Sequence, residues 1–234
     1  MSVAALSSAG LLDAWERGRP LPPAFRPLVL LAEAGAGDLA EAPLGVRDGY
    51  LLDLVEATFG GNLDAVVSCP ACAEELEFSG TAGQLRGGPP SAGPIEVRAG
   101  PSVLSVRAAS TADLLAAGRA GSLAGARAEL LRRCVTVLSG PAELSAGAVA
   151  AAEAAMLAAD PQAEALVALV CPQCRHGWEA ELDVAAFAWA QVEARARRYV
   201  SEVHALASAY GWREADILAM TPARRSLYLG MVQS

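Results

Sequence analysis

DAVVSCPACAEELEFSG (residues 64–80) and ALVALVCPQCRHGWEAELDV (residues 165–184) are the two stretches on which the reading of the fold turns. Each has a β-branched approach, a Cys-Pro-x-Cys turn and an alternating exit, the pattern of a hairpin with a metal-binding knuckle at its tip. Aligned on their cysteines, both carry a large apolar residue four positions after the second Cys, Leu76 and Trp178. Both then carry a glutamate, Glu77 and Glu179. Two half-sites of one design are expected.

A Cys-x-x-Cys turn aims two thiolates at one ion, and a second turn completes a tetrahedral set. Cys69, Cys72, Cys171 and Cys174 are therefore the predicted ligands of one structural zinc ion. Four soft thiolates suit zinc, whereas hard cations prefer oxygen. Compact zinc sites of this type separate their knuckles by roughly 15–20 residues, but 98 residues lie between Cys72 and Cys171. Tertiary structure must then bring the knuckles together around an inserted segment. A redox Cys-x-x-Cys would stand alone at a helix start, and structural disulfides need an oxidising compartment, so both suit a matched pair of hairpin tips less well. His176 reads as a surface residue of its knuckle, and Cys134, in LLRRCV, as a small apolar residue packed on a helix. A closed four-thiolate site has no open position for water or substrate, so it holds a fold together and does not catalyse.

The flanking segments are mostly helical, and the fold class expected is α+β, mainly α-helical, with a small zinc-ribbon-like β element. Residues 1–60 form an N-terminal helical segment: LLDAWERG, then prolines, then PLVLLAEAG. A helix carrying Val46, Tyr50, Leu51, Leu54, Val55 and Thr58 on one stripe follows. Residues 61–110 hold the first knuckle and the strand-like IEVRAGPSVLSVRA. Residues 111–165 are a helical, alanine-dominated insert opened by STADLLAA, with Ser110 or Thr111 as its cap. Residues 166–188 hold the second knuckle, and 189–234 are C-terminal helices. There Trp189, Val192, Ala196, Tyr199, Val203, Leu206 and Tyr210 make the stripe of one long helix ending near Gly211. A short helix READILAM follows, and Thr221-Pro222 begin a last one as cap and first residue.

Composition limits the function. A chain of 234 residues that is 53% hydrophobic can bury enough surface to fold, so a disordered tail is excluded. Every basic residue is arginine. The net charge of −8 divides into −10 for residues 1–184 and +2 for 185–234. Such a balance lacks the extended basic face that phosphate backbones require and argues against nucleic acid as a partner. No basic segment leads into an apolar core at the start, and no apolar run reaches the ~18 residues of a membrane span. A cytoplasmic protein with protein partners and no membrane association is expected. With two histidines, no lysine and no phosphate-binding loop, no catalytic constellation is legible, and the chain reads as a non-enzyme.

LLDAWERG, the two CPxC knuckles, STADLLAA between them and HALASAYGWREADILAMTPARRSLYLGMV (204–232) together resemble the T4-family baseplate hub assembly chaperones. These are encoded with contractile phage tails and related injection systems. The resemblance covers most of the chain. It is most specific at the end, where His204, Tyr210, Trp212, Glu214, Ile217, Leu218, Arg224, Arg225 and Tyr228 match the family's texture. It implies a non-enzymatic protein that helps assemble a baseplate hub, with hub or spike proteins as partners and possible incorporation in a tail-like particle. Tyr210, Trp212, Arg224, Arg225 and Tyr228 are then the candidate partner-binding residues, since Trp, Tyr and Arg dominate interface energies. Trp212 and Tyr228 could equally pin the last helices to their own core. The other function considered is a zinc-ribbon regulatory or nucleic-acid-associated protein.

Overall fold

Local chemistry accounts for most helix starts. In a computed structural model describing residues 3–232, the Ser7 side chain accepts the Gly10 N–H and opens α1 (Ser8–Gly18). Prolines interrupt the chain before α2 (Arg26–Glu33), and Pro43 precedes α3 (Leu44–Phe59). Asp183 accepts the Ala186 N–H to cap α7 (Val184–Tyr210), whose far end is closed by Gly211 at φ 67°. The four helices share one core, in which Leu11, Leu30, Leu31, Leu51, Leu54 and Val55 meet Trp189, Val192, Ala196 and Tyr199. The long-helix stripe thus packs as its spacing predicts, except that Val203 is only partly covered, with Glu202 buried beside it, and Tyr210 at its end is 39% exposed.

The α3 stripe is displaced from the expected one. Leu51, Leu52, Leu54 and Val55 are buried, Val46 and Tyr50 are only partly covered, and Arg47 and Asp48 are buried. The inserted segment covers that side of the helix. Arg47 Nε donates to Asp48 Oδ1 at 2.8 Å and its Nη1 to Thr111 Oγ1 at 3.3 Å, so the charges are enclosed as a bonded pair.

The insert has its own small core. β3 (Ile95–Ala99), β4 (Ser102–Val106) and β5 (Val135–Ser139) form an antiparallel sheet in the order β3-β4-β5. Leu104 and Val106 on β4 meet Ala148, Ala152 and Ala155 on α6 (Ala146–Ala159). α4 (Thr111–Ala117) and α5 (Leu123–Cys134) complete it. The expectation of a helical insert over residues 111–165, broken only at Gly118 to Gly121 and at Gly140-Pro141, is corrected here by β5. Its β-branched Val135, Thr136 and Val137 leave the helix and pair with the free edge of β4. Ser110, one of the two predicted caps, opens α4 in a reciprocal box with Asp113. Asp113 is wholly buried, which opposes its charge. Arg107 at 2.6 and 2.9 Å, Arg133 at 2.6 Å and the Ser110 N–H nevertheless hold its carboxyl well below the usual range.

Hydrogen bonds tie α3 and the segment at residues 85–87 to the chain around Ala109 and Asp160–Gln162. The Leu44 N–H donates to Ala109 O, Gly45 N–H donates to Asp160 Oδ2 at 2.7 Å, and Gln162 receives the Gly87 N–H while donating to Leu85 O. A Cβ at Gly45 would lie 2.7 Å from Gln162 Cβ and collide with the Asp160 carboxylate, whereas a Cβ at Gly49 would meet nothing. Gly45→Ala is therefore expected to lose about 1–3 kcal/mol by overpacking, although alanine is the better helix former. Gly49→Ala on the same helix should gain up to about 1 kcal/mol. Urea denaturation of the two variants measures this, and equal signs would contradict the packing described.

Two short helices end the chain: α8 (Glu214–Ala219), with Ile217 buried, and α9 (Pro222–Val232). The Arg224 N–H donates to Thr221 Oγ1 at 3.3 Å, as the cap reading requires. Among the described residues no helix is long and apolar enough to cross a membrane.

Candidate metal centre

The two cysteine stretches form two hairpins. β1 (Asn62–Ser68) pairs antiparallel with β2 (Glu75–Thr81), and β6 (Leu166–Val170) with β7 (Gly177–Glu181). Their alternation separates the faces. Val67 opposite Leu76 and Ala65 opposite Phe78 are half-buried, as are Leu169 opposite Trp178 and Val167 opposite Ala180. At matching positions near the hairpin bases, Leu63 and Ala165 enter the helical core. The internal likeness of the two stretches is thus structural.

The knuckles repeat bond for bond. Cys69 N–H donates to Glu74 O at 2.8 Å and Ala73 N–H to Cys69 O at 2.9 Å. In the second knuckle Cys171 N–H donates to His176 O at 2.9 Å and Arg175 N–H to Cys171 O at 3.0 Å. Ala73 and Arg175, each following a second cysteine, both take φ of 61°, the left-handed conformation that turns the chain back into the exit strand.

The four sulfurs converge. Cys69 Sγ lies 3.7 Å from Cys174 Sγ, Cys72 Sγ lies 3.6 Å from Cys171 Sγ, and all four fall within 4.8 Å of one another. A tetrahedron with Zn–S bonds of about 2.3 Å requires sulfurs about 3.8 Å apart. Both short contacts cross between hairpins, so the set spans residues that the insert separates in sequence. Each knuckle supplies one buried sulfur residue, Cys69 or Cys171, and one exposed, Cys72 or Cys174.

The surroundings prepare the sulfurs unequally. For Cys69, burial opposes the thiolate, but the Ala71 and Cys72 N–H groups and the neighbouring thiols bring it down to about 7. At Cys72 the Glu74 N–H favours the thiolate, yet hydrogen bonding to the crowded thiols of Cys174, Cys171 and Cys69, together with burial, pushes it up to about 12. Four such groups cannot all ionise together without a cation among them. The arrangement therefore suits a soft divalent ion held by four thiolates.

The other singled-out residues lie elsewhere. His176 is exposed, stacks 6.1 Å from Trp178 and is not in the sulfur group. Cys134 is buried at the end of α5, where burial and then the Asp113 charge push its thiol up to about 11. Its S–H faces Asp113 Oδ2 at 3.7 Å, so it is an inert packing residue. Tyr210, Trp212 and Tyr228 form one cluster, with Tyr210 stacked on Trp212 at 4.5 Å and Tyr228 edge-on to Trp212 at 4.8 Å. Trp212 and Tyr228 are partly covered, and Arg224, one helical turn before Tyr228 on α9, is exposed.

Arg225 is corrected. It is 1% exposed, so it cannot reach a partner. Its Nε donates to Glu202 Oε2 at 3.0 Å, its Nη1 reaches Ser8 Oγ, Leu218 O and Met220 O, and its guanidinium lies 4.8 Å over the Tyr199 ring. The helix turns this residue inward and its neighbour Arg224 outward, a difference that the dipeptide alone does not reveal. Comparison with known protein-family models, curated proteins and solved structures finds no match for this chain.

Proposed function

We propose that the chain is a non-enzymatic assembly chaperone or component for the baseplate hub of a contractile tail or tail-like injection system, acting by protein–protein binding on a scaffold held by structural zinc. The closed set of four sulfurs carries the structural half of this proposal. With every coordination position filled by cysteine, the ion has nothing to offer a substrate and serves to fix two hairpins. The terminal texture of residues 204–232 supports the baseplate half. The aromatic cluster of Tyr210, Trp212 and Tyr228, with the exposed Arg224 and Leu227 of the same helix as Tyr228, is the surface assigned to the hub or spike protein.

Co-expression of the chain with the tube, hub and spike proteins of a contractile tail, followed by affinity purification, tests the assignment. A hub or spike protein is expected to co-purify, and a Tyr210→Ala/Arg224→Ala double variant should reduce its recovery about tenfold or more, the loss of one hot spot. Undiminished recovery would remove the interface from this surface. Retention of duplex DNA at low salt, with no hub protein recovered, would replace the baseplate assignment by the nucleic-acid one.

A further inference from the structure

A cleft of about 560 Å³ opens between the Pro23–Phe25 turn, α3, α4 and the start of α7, sharing no residue with the cysteine set. That volume lies within the range of small-molecule sites. Its polar groups are unusual for a structural gap. Arg47, 5% exposed, spends Nε on Asp48 and Nη1 on Thr111, and no acceptor among the described residues takes its Nη2. Arg26 lies 5.0 Å over the Trp189 ring and gives Nε to Leu21 O at 3.3 Å. Its two terminal amino groups have no acceptor among the described residues either. Among the described residues only Trp15 Nε1 and Asp160 Oδ1 are buried side-chain polar atoms without a partner, so these free amino groups are open to solvent, where a ligand's acceptors can reach them.

The charges select that ligand. Arg47 is neutralised by Asp48, and the wall also contains Asp183, whose carboxylate already accepts the Ala186 N–H at 2.9 Å as the cap of α7. Arg26 and Asp183 both line the cleft with no ion pair between them, so the cleft offers several free donors with no net charge. A dianionic phosphate would be repelled by Asp183, whereas a singly charged, two-oxygen acceptor matches the donors. The remaining walls are apolar, with Leu114, Ala185 and the Trp189 ring facing the space. We propose that this cleft binds a monocarboxylate with an apolar body, its carboxylate taken by the free amino groups of Arg26 and Arg47 and its body lying against Leu114, Ala185 and Trp189.

Titration of the full-length, metal-loaded chain with hexanoate, followed by the indole N–H resonance of Trp189, tests this. Saturable binding is expected for hexanoate and at least about tenfold weaker binding for hexanamide, the loss of charge-assisted hydrogen bonds. Arg26→Gln, which removes a side chain bonded only to Leu21 O, should weaken hexanoate about tenfold or more. Ala185→Leu should exclude hexanoate by filling the space. N-acetyl-glycyl-leucine distinguishes the source: tighter binding than hexanoate assigns the cleft to a polypeptide C-terminus, weaker binding to a free acid. Non-saturating shifts with both acids, equal binding of hexanamide, displacement of hexanoate by inorganic phosphate, or unchanged affinity in Arg26→Gln would overturn the assignment.

Discussion

Purified under reducing conditions, the chain should carry one zinc per molecule, and chelation should lower its thermal midpoint by roughly 10 °C. The expected size follows from what holds the hairpins. β1–β2 and β6–β7 are separate two-stranded sheets with no strand pairing between them, and such hairpins are marginal alone. The inward-alternating residues of both hairpins are only half-buried, so an ion held by all four sulfurs would be the strongest single link between the tips. An ion that binds only the folded chain, at a free concentration about a thousandfold above its dissociation constant, contributes about 4 kcal/mol. In a chain of this length each kcal/mol moves the midpoint by about 2–4 °C. Cys69→Ser should reproduce the loss, because it removes a buried ligand, while Cys134→Ser should leave the metal content unchanged. The helical core of α1, α2, α3 and α7 should survive, leaving far-UV circular dichroism largely intact while the Trp178 environment changes. A folded, reduced protein with well below one equivalent of metal, or one whose midpoint ignores the chelator, would remove zinc from the account.

The cysteine centre was legible because its chemistry and its local structure share one short pattern. A Cys-Pro-x-Cys turn between alternating strands states both the ligand and the hairpin, and the likeness of the two copies implies that they meet. The mixed α+β architecture and the caps at Ser110, Gly211 and Thr221 were legible for the same reason, since each depends on residues within a few positions. What depends on distant partners was not. β5 follows a helix without a turn residue between them, and only the free edge of β4 makes it a strand. Arg47 and Asp48 look like a solvated pair on α3, and are buried because Thr111 and the insert close over them. The cleft beside Arg26 draws its walls from several separate segments, so no single stretch announces it.

Arg225→Ala should destabilise the chain by about 3 kcal/mol or more, the cost of breaking a buried ion pair from one side. Glu202, 8% exposed, would keep only Arg198 at 2.7 Å, a largely exposed neighbour. The carbonyls of Leu218 and Met220 at the end of α8 would lose their donor, and the Tyr199 ring its cation. Arg224→Ala, one residue away and exposed, should stay within about 0.5 kcal/mol of the parent in the same urea titration. Removing both charges separates electrostatics from packing: Arg225→Met with Glu202→Leu should recover much of the loss, because neither partner is then left charged and buried. If Arg225→Ala unfolded at the parent's midpoint, the clamp on α9 would be discarded. If it unfolds early, any loss of hub binding in that variant reports an unseated α9 and not a missing contact. The pair Arg224 and Arg225 therefore divides one conspicuous dipeptide into a surface residue that can test a partner and an internal one that holds the surface in place.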